Sequence, residues 1–230
     1  SEPPYHFEYL GETTELYSPS KFRPETRLND FAAGTIERMV RAINLTSEGK
    51  FLPEVSQFID LKRFLKLVAI ENYLAEADGI LGLWGMNNFY LHRPARSNQF
   101  ELIPWDKDNT FAWVWHPIWF NTDSNVLAKR ALERQELSDA YLDALWQTAE
   151  EAGSAGGWLE QEFEQTRSQI LPAAFEDAKK PQDNSQFEAA VRTIREFIQG
   201  RSDHVRHAQA REQEGAGGVE AQRRLEEGLA

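Results

Sequence analysis

The fold is decided by two neighbouring stretches, Asn88-Phe89-Tyr90-Leu91-His92 and Phe100-Glu101-Leu102-Ile103-Pro104-Trp105-Asp106-Lys107-Asp108-Asn109-Thr110-Phe111. Each contains a run of about four positions with aromatic or β-branched residues, which predicts short strands at 89–92 and 100–103. Residues 93–98 would connect them into a small hairpin. Because the flanking sequence has helical periodicity, we expect a predominantly α-helical α+β fold that contains one small β element.

Apolar periodicity predicts two helices before this hairpin. Asn29 or Asp30 can cap the first helix, and Asp60 can cap the second, which we expect to continue to Asp78. The apolar stripe of the first comprises Phe31, Ile36, Met39, Val40 and Ile43, and that of the second comprises Leu61, Phe64, Leu65, Val68 and Tyr73. The second helix has apolar residues around much of its circumference, which is typical of a buried element.

The chain after the hairpin is predicted to be helical. The segments are 125–135, 138–152, 155–177, 185–199 and 201–212. Ser185 and Glu188 have the spacing of a capping box, and Gly200 is placed to end a helix. We expect an extended connection over 1–28 with a short strand near Phe7–Leu10, a helical domain over 29–212 and a flexible tail over 213–230.

Composition excludes several classes of protein. The 230 residues include 37 acidic and 25 basic side chains and carry a formal charge of −12, which argues against nucleic acid as a partner. There is no cysteine, so disulfides, thiolate zinc sites and cysteine nucleophiles are excluded. No apolar run is long enough to be a transmembrane segment.

Four polar residues lie at the ends of consecutive predicted elements and are candidates for a metal site. Asp78 follows the buried helix, Asn88 begins one strand, and Asp106 and Asp108 follow the other. Carboxylate and amide oxygens are the ligands that Mg²⁺ prefers, with substrate phosphates completing its coordination. The alternative is that these residues only form turns, because Asp before Gly and closely spaced Asp residues often do so.

The two stretches resemble the CotH kinase family. That family has an Asn-aromatic-Tyr-Leu strand followed by a Pro-Trp-Asp-x-Asp-x-Thr-Phe motif, which Asn88–Leu91 and Pro104–Phe111 match. The resemblance extends over about residues 5–210. It implies the C-terminal lobe of an atypical protein kinase, with the hairpin at its metal site.

The resemblance also implies roles for these residues. Asp78 would be the catalytic aspartate that positions a substrate hydroxyl. Asn88 and Asp106 would bind Mg²⁺ or Mn²⁺, and Asp108 would be a second metal-binding or structural carboxylate. ATP would supply the phosphoryl group and a serine on a protein substrate would accept it.

No Gly-rich phosphate loop or strand lysine precedes Asp78, so we interpret the chain as part of a longer protein. The ATP-holding N-terminal lobe would lie elsewhere in that protein, and the chain alone is expected to be inactive. Many family members act on the spore surface or outside the cytoplasm, which the resemblance suggests for this protein as well.

Two other functions remain open. The first is a non-catalytic binding or assembly module of the spore coat or cell surface on the same fold. The second is a carbohydrate-active domain, in which Trp113, Trp115, Trp119 and Phe120 would stack on sugars and paired carboxylates would act as acid and base.

Overall fold

Helices dominate the part of the chain that the computed structural model describes, which is residues 3–25, 33–95, 97 and 99–227, with side chains described to residue 212. The α-helices are α1 (Ala33–Leu45), α2 (Phe51–Val55), α3 (Leu61–Tyr73), α4 (Val126–Leu132), α5 (Gln135–Ala152), α6 (Trp158–Glu176) and α7 (Asn184–Glu227). The strands are β1 (Phe89–His92) and β2 (Glu101–Pro104), and short 3₁₀ helices lie at Thr14–Leu16 and Glu48–Lys50. The predicted α+β, predominantly helical class is confirmed.

The predicted apolar stripes form the buried faces of α1 and α3. Ile36, Met39, Val40 and Ile43 of α1 are buried, as are all five predicted residues of α3. Each fully buried side chain of this kind contributes about 1.5–3 kcal/mol relative to its exposed state. Phe31 and the predicted caps Asn29 and Asp30 lie outside the described residues.

Helix α3 begins as predicted but ends earlier. The Asp60 side chain accepts a hydrogen bond from the Arg63 backbone N–H at 3.0 Å, which confirms the N-terminal cap. The helix ends at Tyr73 rather than near Asp78, because Ala75 adopts a left-handed conformation with φ of 56°. The Glu76 N–H then donates to the Glu71 carbonyl at 3.0 Å, which is the closing bond of a Schellman motif.

The hairpin forms almost as predicted. Strands β1 and β2 are antiparallel, with Phe89 opposite Pro104 and His92 opposite Glu101, so the second strand begins one residue later than expected. Phe100 instead donates its backbone N–H to the Phe58 carbonyl at 2.6 Å. This bond attaches the hairpin to the segment immediately before α3.

The predicted strand near Phe7–Leu10 does not form. Phe7 is fully buried with a left-handed φ of 70°, which interrupts an extended conformation. The boundaries proposed for the extended connection, helical domain and flexible tail stay a prediction. Along the described ranges, no helix combines the length and apolar character that crossing a bilayer requires.

The chain divides into two units. Unit 1 contains residues up to Asn72, Glu76–Thr110 and Trp119–Tyr141, and unit 2 contains Tyr73–Ala75, Phe111–Ile118 and the chain from Leu142 onward. Unit 1 includes the hairpin and the loop that carries Asp78. In unit 2, buried Ala75, Phe197 and Ile198 pack with Phe111, Val114, Leu159, Phe163 and Ile194.

Helix α7 begins and continues differently from the prediction. Asp183 and Gln186 form the reciprocal capping bonds at 2.8 and 2.9 Å, so the cap precedes the predicted Ser185–Glu188 box. The helix also continues through Gly200. A Cβ atom at this position would lie 3.0 Å from Val114 Cγ1, so Gly200 allows close packing instead of ending the helix.

Arg201 organises the interior of unit 2. Its side chain is fully buried and donates from Nε to the Tyr73 carbonyl at 2.8 Å. Its Nη1 donates to the carbonyls of Val114 and His116 at 2.7 and 2.6 Å. A buried guanidinium needs such acceptors, because an unsatisfied charge in this environment is strongly destabilising.

Candidate functional site

Two asparagines hold the Asp78 carboxylate. Asn87 Nδ2 donates to its two oxygens at 3.2 and 3.1 Å, and Asn88 Nδ2 donates to Oδ2 at 3.0 Å. Because the amide nitrogen of Asn88 points to Asp78, its Oδ1 atom stays available as an acceptor or metal ligand. The structure therefore brings two of the predicted site residues, Asp78 and Asn88, into direct contact.

The loop that follows α3 is closed by backbone hydrogen bonds. The Gly79 carbonyl accepts from the N–H groups of Gly82 and Asn87, both at 3.0 Å, and Leu83 donates to Ala77 at 3.0 Å. These bonds close the loop, so that the chain passes beside Asp78 again. As a result, Asp78 and Asn87 are neighbours although nine positions separate them.

The hairpin brings Asp106 to the same end of the sheet as Asn88. The Trp105 N–H donates to the Asn88 carbonyl at 2.9 Å, and Asp106 follows directly. Asn88 and Asp106 both adopt the left-handed conformation, with φ of 53° and 46°. Asn and Asp tolerate this conformation better than other side chains, which explains why they are found at the two positions where the ladder ends.

The predicted metal-binding carboxylates of Asp106 and Asp108 are exposed to solvent. Asp108 Oδ1 accepts from Asn109 Nδ2 at 3.0 Å. Over the ranges that the structure covers, Asp106 has no side-chain hydrogen bond or ion pair, and no three His, Asp or Glu side chains are grouped to hold a metal. Two carboxylates and an amide oxygen remain compatible with Mg²⁺, which also uses water and phosphate oxygens.

A buried ionic cluster adjoins these residues. Lys107 Nζ binds Glu71 Oε1 at 2.6 Å and lies 3.9 Å from Glu76 Oε2. Glu71 Oε2 accepts from the Ile80 N–H at 2.9 Å, and Glu76 Oε1 accepts from the Asp78 N–H at 2.8 Å. The two glutamates thus contact both the Asp78 loop and the residue between Asp106 and Asp108.

Burial changes the acidity of both glutamates. Burial has the largest effect on Glu71 and raises the pKa of its carboxyl, while the positive charge of Lys107 lowers this pKa. Burial likewise raises the pKa of Glu76, and the negative charges of Asp78 and Asp108 add to the increase. Acidic groups from both parts of the candidate site therefore oppose ionisation of Glu76.

Sequence reasoning missed Asn87, Glu71, Glu76 and Lys107 as members of this site. Glu71 had a detectable signal, because it lies near the end of a helix that the sequence predicts to be largely buried, where a charged side chain needs a partner. Asn87 had no comparable signal. Its role depends on the loop closure at Gly79, which spacing along the chain does not reveal.

The tryptophans proposed as a sugar platform have different environments. Trp113 and Trp115 are exposed, whereas Trp119 stacks on Tyr141 with ring centroids 4.9 Å apart. Trp105 is also exposed and contacts the Tyr90 ring edge-on at 5.4 Å. The stacking of Trp119 shows that at least one member of the proposed platform serves internal packing.

A family-level comparison supports the resemblance that these motifs carry. Residues 12–205 match the family model described as CotH kinase protein, so the chain belongs to the CotH family. The family resemblance of the sequence is thereby confirmed.

A curated relative agrees with this membership. The chain is 25% identical over 177 residues to the protein named inner spore coat protein H of Bacillus subtilis strain 168. The match covers 74% of this chain and 47% of the relative. The chain therefore spans about half the length of the curated relative.

Proposed function

We propose that this chain is the catalytic and metal-binding portion of a CotH-type atypical protein kinase. The whole protein would transfer the γ-phosphoryl group of ATP to serine on a protein substrate. The observation that carries this proposal is the contact between Asp78 and Asn88, next to the hairpin end that carries Asp106. The fold would then be a kinase-like C-terminal lobe with its hairpin at the metal site.

Asp78 is proposed to orient the attacking serine hydroxyl. Its carboxylate is fixed by Asn87 and Asn88, and is only partly buried, so a substrate can reach it. Phosphoryl transfer depends mainly on positioning and on stabilisation of charge. A fixed carboxylate that accepts the hydroxyl proton meets the positioning requirement.

The amide oxygen of Asn88 and the carboxylates of Asp106 and Asp108 are proposed to hold Mg²⁺ or Mn²⁺. These are oxygen donors, as hard cations require, and the exposed aspartates leave room for nucleotide phosphates. When bound, the cation would neutralise charge on the phosphoryl oxygens. Asn88 would thereby connect the catalytic carboxylate with the metal, through its nitrogen on one side and its oxygen on the other.

A second candidate is a non-catalytic assembly module of the spore coat. The specific support is the name of the Bacillus subtilis relative, which describes that protein as part of the inner spore coat. A coat setting is compatible with either function. The two proposals differ in whether the protein transfers phosphate.

The test is transfer of radiolabelled phosphate from ATP by the full-length parent protein, with Mg²⁺ or Mn²⁺ and coat proteins as acceptors. The Asp106→Ala variant should lose the label, and Asp78→Asn should lose transfer while keeping more of the nucleotide affinity. Asp123→Ala is the matched control, because Asp123 is an exposed acid of unit 1 outside the site.

The outcomes separate the candidates. Label on serine that depends on Asp106 but not on Asp123 would support the kinase. Absence of label from a folded parent with each metal would reject the kinase in favour of the assembly module. Nucleotide-independent binding of polysaccharide would revive the carbohydrate-active alternative.

A further inference from the structure

Lys107 points into the protein although the aspartates on both sides of it face solvent. Asp106 and Asp108 are exposed, whereas the Lys107 side chain is 23% exposed and ends at two buried carboxylates. The side chains of Glu71 and Glu76 are 5% and 0% exposed. This alternation makes Lys107 the inward anchor of the segment that carries the proposed metal ligands.

The anchor is connected to the Asp78 loop through the same carboxylates. Glu71 uses one oxygen for Lys107 and the other for the Ile80 N–H. Glu76 accepts from the Asp78 N–H through Oε1, and its buried Oε2 has no hydrogen-bond donor within the described residues. Lys107, 3.9 Å away, is the cation that faces this oxygen.

The cluster of Glu71 and Glu76 depends on the positive charge of Lys107. Removing one partner from a buried ionic group leaves an uncompensated charge, which costs several kcal/mol unless the group moves or takes up a proton. Without Lys107, the two glutamates would repel each other and the nearby Asp78 and Asp108. The Asp106–Asp108 segment would also lose its ionic connection to the Asp78 loop.

We propose that Lys107 is a positioning residue, which acts through Glu71 and Glu76 to hold Asp106 and Asp108 in register with Asp78. This role rests on the proposed function, because the register matters for phosphoryl transfer. The Lys107 side chain ends at the buried carboxylates of Glu71 and Glu76, so it would act through them and not on the substrate directly. Its effect is on the affinity for the metal, not on the chemical step at saturating metal.

The test compares Lys107→Met and Lys107→Arg in the full-length parent, with Lys66→Met as control. Lys66 is an exposed lysine of α3 in the same unit. The first measurement is hydrogen–deuterium exchange by mass spectrometry. Lys107→Met should accelerate exchange in peptides that cover 105–110 and 76–80, with the rest of the chain unchanged, and Lys107→Arg should restore protection.

The second measurement is the Mn²⁺ dependence of phosphate transfer. Lys107→Met should raise the Mn²⁺ concentration for half-maximal activity by about 10-fold or more, the usual cost of losing a residue that orients metal ligands. The kcat at saturating Mn²⁺ should stay within about twofold, and Lys66→Met should resemble the wild type. Lys107→Arg should recover most of the metal affinity.

Failure of the positioning role and failure of the proposed kinase function give different results. Unchanged exchange in Lys107→Met would overturn the positioning role, whatever the activity. A loss of kcat at saturating Mn²⁺ that Lys107→Arg does not recover would also overturn it, because Lys107 would then act on the reacting groups. A wild-type protein without any transfer would reject the kinase, while the exchange data would still decide whether Lys107 anchors the segment.

Discussion

Gly79 lies directly against the carboxylate of Glu71. A Cβ atom on Gly79 would stand 2.6 Å from Glu71 Oε2 and 2.8 Å from its Cδ, well inside van der Waals contact. Glu71 is buried and is held by Lys107 and the Ile80 N–H, so its carboxylate cannot move away without losing these bonds. The glycine next to Asp78 is therefore required by the buried glutamate beneath it.

Gly79→Ala should lower the free energy of unfolding by about 1–3 kcal/mol, the usual cost of overpacking a buried site. Urea unfolding followed by circular dichroism measures this change. Gly49→Ala is the matched control, because a Cβ atom at Gly49 would meet nothing within 4 Å. Equal effects of the two substitutions would contradict the assigned contact.

Glu76→Gln should change how stability depends on pH. Because burial raises the pKa of Glu76, the folded state binds a proton more tightly than the unfolded state, and stability falls as pH rises from about 4.5 through the raised pKa. The variant lacks this contribution, so its stability relative to wild type should increase over that window and then level off.

Thermal melts of the Glu76→Gln variant and the wild type between pH 4 and pH 8 measure this difference. The exposed Glu54→Gln variant has the same change in charge and serves as the control for net charge. A Glu76→Gln curve parallel to that of the wild type at every pH would show that Glu76 does not titrate in this way.

Asn87→Ala tests whether fixing Asp78 matters for activity. The substitution removes the two contacts that Asn87 Nδ2 makes with the Asp78 carboxylate. We expect kcat for phosphate transfer to fall by about 10-fold with little change in nucleotide KM, because orientation of the acceptor is lost. Steady-state kinetics of the full-length parent measure both constants, and an unchanged kcat would argue against a positioning role for Asn87.

His116 should make unit 2 sensitive to acid. Burial lowers the pKa of His116 to about 4, and the positive charges of Arg201 and His204 act in the same direction. The folded state therefore resists protonation that the unfolded state accepts below about pH 6.5, and up to about 3 kcal/mol of stability is lost progressively as pH falls from 6.5 to 4.

His116→Gln should remove this loss, which unfolding by urea at pH 7 and pH 4.5 can measure. His92→Gln is the control, because His92 is exposed on β1. If the acid sensitivity of His116→Gln matched that of the wild type, protonation of His116 would not be its cause.

The sequence predicted features that depend on local pattern. The stripes of α1 and α3, the Asp60 cap and the hairpin follow from periodicity and residue type, and within the described residues each is found to about one position. The contact of Asp78 with Asn88 agrees with the motif that suggested a site. Whether these residues bind metal and transfer phosphate stays a prediction.

The features that sequence reasoning missed depend on tertiary contacts. A glycine such as Gly200 is typical of a helix end, but here the nearby Val114 side chain leaves little room for a Cβ atom and explains the glycine instead. Ala75 ends α3 in the left-handed conformation, which usually requires glycine. An alanine at this position therefore gives no sequence signal for the end of the helix. The Lys107 cluster joins residues 36 positions apart and could not be read from spacing.

The two units alternate along the sequence, and this has a consequence for folding during synthesis. The chain emerges from the ribosome with its N-terminus first, and domains generally fold as units in the order in which they emerge. Unit 1 has all of its residues once Tyr141 is synthesised. In unit 2, the carbonyls of Tyr73 and Val114 have no Arg201 guanidinium to bind until the chain has been extended to residue 201. Nascent chains arrested between these points should therefore hold a formed Asp78 loop and hairpin while the interior around Arg201 is still open.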